Sequence, residues 1–220
     1  MSGGAVIEIE AKFRASQRAV AVLGDREALG DWQVVERRMI ALRDSYFDTP
    51  DGALARQQCT LRVRQNGDDP VGELTLKGPA GETPEGVFAR TELTVAIAAG
   101  TAPGAWSAMA GTGPVLDALR ARGVADAASL VPVAVLRNPR RDLVVASGEA
   151  RAVVSLDEVT IEGETYRQRF VEIEAVTGGA PTVRAVANAV LALVAMRPAR
   201  TGKVQAARAW LARRRRLAGK

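Results

Sequence analysis

The stretch Val6-Ile7-Glu8-Ile9-Glu10-Ala11-Lys12-Phe13 constrains this chain more than any other. Apolar and charged residues alternate strictly along it, and a period of two is the signature of a strand with one apolar face. Glu8, Glu10 and Lys12 must then share one face, with Ile7, Ile9, Ala11 and Phe13 on the other. The pattern returns. Arg62 and Arg64 alternate with Leu61 and Val63, Glu73, Thr75 and Lys77 with Leu74 and Leu76, and Glu172 and Glu174 with Val171 and Ile173. Arg90 and Glu92 lead into Leu93-Thr94-Val95. A solvated sheet face usually mixes in neutral polar residues. Here carboxylate pairs stand at both ends of the chain, with arginine or lysine pairs between them.

The connections fit an antiparallel sheet. Asn66-Gly67-Asp68-Asp69-Pro70 has hairpin composition, and Asp48-Thr49-Pro50-Asp51-Gly52 is a turn cluster before a short helical turn at 53–58. Residues 79–87 read as a surface loop. Ser16 or Asp25 is placed to cap a helix within 18–29. Further helices are expected at 114–122, started by Pro114 and stopped by Gly123, at 181–194, and at 201–211 with Lys203 near its start. Tyr46 and Asp48 are expected to serve the turn. Pro139 implies a bulge or an edge in the strand around Arg137, Arg140 and Arg141. Those three arginines cannot all point one way on a regular strand. The expected class is α+β: a closed antiparallel barrel with a charged interior and helices outside. One domain over 1–212 and a basic tail at 213–220 account for the chain.

Composition narrows the chemistry. There is no histidine, which excludes Ser-His-Asp and Cys-His catalysis and histidine-held zinc, and the single Cys59 excludes an internal disulfide. Any metal must be held by oxygen, which points to Mg2+ or Mn2+. The net charge is +5, yet Arg213 to Arg216 and Lys220 supply five positive charges at the end. The body is therefore neutral, which argues against nucleic acid as partner. No apolar run is long enough for a membrane span, and no secretory signal opens the chain, so a soluble cytoplasmic protein is the expectation.

Taken in order, Glu8-x-Glu10-x-Lys12, Tyr46-Phe47-Asp48-Thr49, Leu61-Arg62-Val63-Arg64, Leu74-Thr75-Leu76-Lys77-Gly78-Pro79, Arg90-x-Glu92, the arginine cluster, Asp157 and Glu172-x-Glu174 resemble the CYTH proteins, the triphosphate tunnel metalloenzymes. The resemblance runs from about Ala5 to about Lys203. It implies an antiparallel eight-stranded barrel forming a tunnel, and hydrolysis of a terminal phosphoanhydride. Fixed cations match phosphate oxygens: Lys12, Arg62, Arg64, Lys77, Arg90, Lys203 and one or more of Arg137, Arg140 and Arg141 are the candidates. Glu8, Glu10, Asp157, Glu172 and Glu174 form the candidate metal set, with Asp157 preferred to Glu158 by the family's pattern and by parity with Ser155 and Val153. Lys12 and Glu92 are the candidate catalytic side chains; a metal-bound hydroxide would need no protein base, while Glu92 or a lysine could serve. The substrate expected is inorganic triphosphate, thiamine triphosphate, a nucleotide or polyphosphate. A class IV-type adenylyl cyclase and a non-catalytic polyphosphate-binding module are the alternatives. Oligomeric state is left open.

Overall fold

A computed structural model describes residues 5–82, 87–199 and 201–218. Among these residues, eight strands of seven residues or more carry the sheet: β1 (Val6–Ala15), β3 (Trp32–Asp48), β4 (Thr60–Asn66), β5 (Val71–Lys77), β7 (Phe88–Ala98), β8 (Val131–Ser147), β9 (Ala150–Ile161) and β10 (Arg167–Ala175). Three two-residue strands join them: β2 (Ala28–Leu29), β6 (Gly81–Glu82) and β11 (Arg197–Pro198). The hydrogen-bonded order is β11-β1-β10-β9-β8-β3-β4-β5-β7-β6. In addition β1 pairs with β7, so the order of pairing closes on itself as in the antiparallel barrel expected from the sequence. The helices are α1 (Gln17–Gly24), α2 (Ala53–Arg56), α3 (Gly113–Arg120), α4 (Gly179–Leu193) and α5 (Lys203–Ala218).

The local chemistry explains the boundaries. Ser16 caps α1, its Oγ accepting from the Ala19 N–H at 3.1 Å. The β4–β5 hairpin turns at Asn66–Asp69, where Gly67 takes φ +54°, a left-handed conformation that costs glycine little. Asp48 accepts from the backbone N–H groups of Thr49, Leu54 and Ala55 at 2.8, 2.9 and 3.2 Å, which ties β3 to α2 and gives the aspartate the turn role expected of it. Tyr46 instead sits inside β3 and is buried.

The chain divides into two compact units. One comprises 42–80 and 90–136 with the start of β1; the other comprises 8–41, 81–89 and 137 onward. Each has its own core. In the first unit, Leu61, Val63, Leu74, Leu76 and Val95 of the sheet pack on Leu54 of α2, Val115, Leu116 and Leu119 of α3, and Trp106. In the second, Ala11, Phe13, Val154, Leu156, Val171 and Ile173 pack on Leu23 of α1 and Val183, Val186 and Val190 of α4. In both units the helices take the apolar parity of the strands, leaving the charged parity for the other face.

Several expectations change. Pro139 lies in a strand with β9 on one side and β3 on the other, so it is not at an edge. Burial alternates through it without a break: Asn138 and Arg140 are buried, Arg137 and Pro139 exposed. The helix expected over 18–29 stops at Gly24, and Ala28–Leu29 pairs with β3. The loop expected over 79–87 contains β6, paired with β7; residues 83–86 of that reading lie outside the described residues. The last helix, expected over 201–211, runs on to Ala218 and takes in the basic residues Arg213 to Arg216. Among the described residues no helix is long and apolar enough to cross a membrane.

Trp106 is fully buried, edge-on to Phe47 with ring centroids 5.5 Å apart. Trp106→Ala is expected to lower unfolding free energy by about 3–5 kcal/mol, read from urea midpoints at unchanged m. A loss near zero would show that this core closes without the indole.

Candidate active site

The charged face of the second unit is built by register. In the β1–β10 pairing Glu10 stands directly opposite Glu174, and Lys12 opposite Glu172. In the β10–β9 pairing Phe170 stands opposite Asp157, and Glu172 opposite Ser155. From β8, Asn138, Arg140 and Asp142 join this face, and Lys203 reaches it from the first residue of α5.

At its centre is a network of buried ions. Asp157 Oδ1 accepts from Arg140 Nε and Asn138 Nδ2, both at 2.7 Å; its Oδ2 accepts from Arg140 Nη2 at 2.9 Å and lies 2.6 Å from Lys203 Nζ. Glu172 Oε2 accepts from Arg140 Nη2 at 2.7 Å and Lys203 Nζ at 2.6 Å, while its Oε1 is 3.0 Å from Lys12 Nζ. Lys12 Nζ also donates to Glu10 Oε1 at 3.0 Å. Ser155 Oγ donates to Asp142 Oδ1 at 2.7 Å.

Burial alone would raise the Glu172 carboxyl, but Lys12, Lys203 and Arg140 outweigh it and hold that carboxyl well below the usual range. Asp157 is likewise held low: Lys203 and Arg140 overcome burial and the repulsion of Glu172. Burial works against the Arg140 charge, yet Asp157 and Glu172 raise its pKa well above the ordinary guanidinium value.

Beside this network Glu8, Glu10 and Glu174 each offer a carboxylate oxygen within 4.8 Å of the other two. Like charges directly opposite on neighbouring strands are destabilising, and Glu10 and Glu174 are such a pair. An all-oxygen set of this kind suits a hard divalent cation, which would remove the repulsion.

The first unit has a charged face of its own. Asp44 stands opposite Arg64 and Tyr46 opposite Arg62. Arg62 stands opposite Thr75, and Lys77 opposite Glu92. Asp44 receives Arg64 through two bonds, Nε to Oδ1 at 2.7 Å and Nη2 to Oδ2 at 2.8 Å. Lys77 Nζ lies 2.7 Å from Glu92 Oε2, and Thr94 Oγ1 donates to Glu92 Oε1 at 3.0 Å.

A profile of the CYTH domain matches residues 6–199, and the carboxylates and cations described above lie inside that span except for Lys203. The chain belongs to the CYTH domain family. No curated protein matches it. Among solved structures, a candidate adenylate cyclase from Bacillus halodurans is 23% identical, with 92% of this chain and 97% of that one covered and a TM-score of 0.64. A Hippeastrum protein, described as a candidate adenylyl cyclase with a dominant triphosphatase activity, is 23% identical over 90% of this chain and 93% of that one, with a TM-score of 0.66. The mimivirus capping enzyme triphosphatase is 10% identical over 85% and 89%, with a TM-score of 0.50. At these identities the three share the CYTH fold with this chain.

Set against the CYTH resemblance, the structure sorts the expected residues. Of the five expected metal ligands, Glu8, Glu10 and Glu174 converge, while Asp157 and Glu172 are taken up by Arg140, Lys203 and Lys12. Of the three arginines on β8, only Arg140 joins the carboxylates. Arg137 has 61% of its side chain exposed and pairs with Glu162 at 3.1 Å. Arg141 is 41% exposed and lies 3.7 Å from Asp25. Odd-numbered side chains of β8 point away from Asn138, Arg140 and Asp142, which removes both from this face. Glu92, expected as a catalytic side chain, is held by Lys77 and Thr94. Arg90 lies on the parity of Glu92 and is half-buried. Asp44, Asp142 and Asn138 were not among the expected residues. Parity with Tyr46 and with Arg140 was the available signal.

Unfolded carboxyls titrate near pH 4. Asp157 and Glu172 lie below that when folded, so the unfolded chain binds more protons in acid. Their contribution to stability is complete above about pH 5 and is lost as the pH falls through about 4 and below. The urea midpoint is expected to stay level from neutral pH to about 5 and then drop. Asp157→Asn should cost about 3–5 kcal/mol at pH 7 by leaving the buried Arg140 and Lys203 to share the single carboxylate of Glu172, and should flatten the acid limb. A midpoint that rises on acidification would contradict the assignment.

Proposed function

We propose that this chain is a divalent-metal-dependent phosphohydrolase that cleaves the terminal phosphoanhydride of inorganic triphosphate or a related organic triphosphate. One observation carries the reading: Glu8, Glu10 and Glu174 converge on the same face that holds Lys12, Arg140 and Lys203. Carboxylates alone repel a polyphosphate, and cations alone bind one without needing carboxylates of their own kind nearby. The two together suit a metal–phosphate complex. The activities attached to the Hippeastrum and mimivirus relatives are in keeping with this.

A Mg2+ or Mn2+ ion held by Glu8, Glu10 and Glu174 would neutralise phosphate charge and favour attack at phosphorus. The chain's own residues supply the rest. Arg140 uses Nε and Nη2 on Asp157 and Glu172, which fixes the guanidinium plane and leaves its Nη1 donors for a phosphate oxygen. Lys12 and Lys203 add point charges, each positioned by the two carboxylates it bridges. Such preset charges cost no reorganisation when negative charge builds at the transferred group. The family resemblance also implies Arg62, Arg64, Lys77 and Arg90 as candidates for phosphate binding, either in contact with it or in support of a neighbour that is.

The test is turnover of inorganic triphosphate, thiamine triphosphate and ATP by the pure protein with Mg2+ or Mn2+, and after chelation. Phosphate release that stops on chelation is expected. Cyclic AMP with pyrophosphate would mark a cyclase, and binding without turnover a polyphosphate module; either would replace the proposal. Glu174→Gln is expected to lower kcat about 100-fold or more with the circular dichroism spectrum unchanged. Normal turnover in that variant would remove the metal assignment.

A further inference from the structure

We propose that Asp44 is a positioning residue that divides two neighbouring arginines into different roles: it clamps Arg64 and leaves Arg62 as the guanidinium that meets the anion. The inference rests on the triphosphatase reading and names how the first unit would take up phosphate.

Asp44 is 1% exposed on β3, directly opposite Arg64. A buried carboxylate needs a partner of good geometry. Arg64 supplies it as a two-pronged pair, with bonds of 2.7 and 2.8 Å to the two oxygens. The guanidinium plane of Arg64 is thereby fixed along Asp44. Arg62, two residues away on the same face, is treated differently. Its Nη1 is 3.8 Å from Asp44 Oδ2, close enough for attraction and too far for a hydrogen bond. Its Nε is buried and has no hydrogen-bond partner. Buried donors are satisfied in the great majority of native proteins, so an unpaired N–H on a guanidinium that is itself 9% exposed marks the place of an acceptor that arrives from outside the chain.

The neighbours agree with this. The residues directly opposite Arg62 are Tyr46 and Thr75, neither of them a carboxylate. The half-buried Lys77 beyond Thr75 is already paired with Glu92. Asp44 is one carboxylate beside two arginines, and Glu73, the carboxylate that β5 brings to this face, stands opposite Arg64 and not Arg62. Asp44 holds Arg62 in place by field alone, and the buried Nε donor of Arg62 is still unspent.

An ordinary salt bridge between Asp44 and Arg64 would contribute only to stability, and affinity measurements separate the two cases. The probe is inorganic triphosphate, read by calorimetry without metal and by KM and kcat with Mg2+, alongside melting temperature. Arg62→Ala is expected to weaken binding about tenfold or more with little change in melting temperature. Arg64→Ala is expected to lose less affinity than Arg62→Ala and more stability. Asp44→Asn should raise KM more than it lowers kcat, and should cost no further affinity once Arg62 is already alanine. Unchanged affinity in Asp44→Asn, or losses that multiply in the double variant, would overturn the proposal. Should Asp44→Asn not fold, the two arginine variants decide it: an Arg64→Ala loss equal to or larger than that of Arg62→Ala overturns it. A wild-type protein that binds triphosphate without hydrolysing it defeats the triphosphatase reading alone, and the affinity comparison still judges Asp44. Failure of the wild type to bind triphosphate at all overturns both.

Discussion

The shared coordination of Arg140 and Lys203 by Asp157 and Glu172 is the constraint on which the second unit depends. All four side chains are buried. Ions removed from water are costly, and only close, multiply bonded geometry offsets that cost. Here every oxygen of the two carboxylates has a cation at 3.0 Å or less. The consequences reach across elements. Lys203 is the first residue of α5, so the same contacts fix where that helix begins. Lys12 bridges Glu172 to Glu10, so the network also sets one of the three converging carboxylates. Removal of one partner would therefore disturb packing and site together.

Each unit collects charges of both signs on one face. The second gathers Glu8, Glu10, Asp142, Asp157, Glu172 and Glu174 with Lys12, Arg140 and Lys203. The first gathers Arg62, Arg64, Lys77 and Arg90 with Asp44, Glu73 and Glu92. Charge in a low-dielectric setting is unfavourable unless it is matched, so close pairing across the strands is what lets these faces form.

Much of this was legible from a period of two. Once Glu8, Glu10 and Lys12 share a parity, and Glu172 and Glu174 share another, antiparallel pairing of the first and last long strands brings them into one face, and β1 does pair with β10. The choice of Asp157 over Glu158 followed from the same parity and from the family's pattern. What parity cannot supply is how deep a residue lies or which partner reaches it first. Arg137, Arg140 and Arg141 look alike in sequence, and only the alternation carried through Pro139 separates them. Asp157 and Glu172 read in sequence as metal ligands, and nothing in the sequence shows that Lys203, from a helix remote along the chain, meets them both. Asp44 was overlooked because the neighbouring Tyr46 and Asp48 drew the motif toward the turn, where Asp48 does act. Strands of two residues, and the division into two cores, leave no periodic trace at all.

Two features of the fold act against its own stability, and they are the most informative ones. Glu10 faces Glu174 across a strand pair, and the Nε of Arg62 is buried without an acceptor. Hydrophobic packing does not require either, since both lie on the parity opposite the cores. A ligand that binds only the folded state adds stability in proportion to the logarithm of its concentration over its dissociation constant. A cation between the opposed carboxylates, or an anion at the Nε of Arg62, would recover the cost of holding those groups in place. The opposed carboxylates and the unmet Arg62 donor, more than the number of charged residues, link the fold to its chemistry.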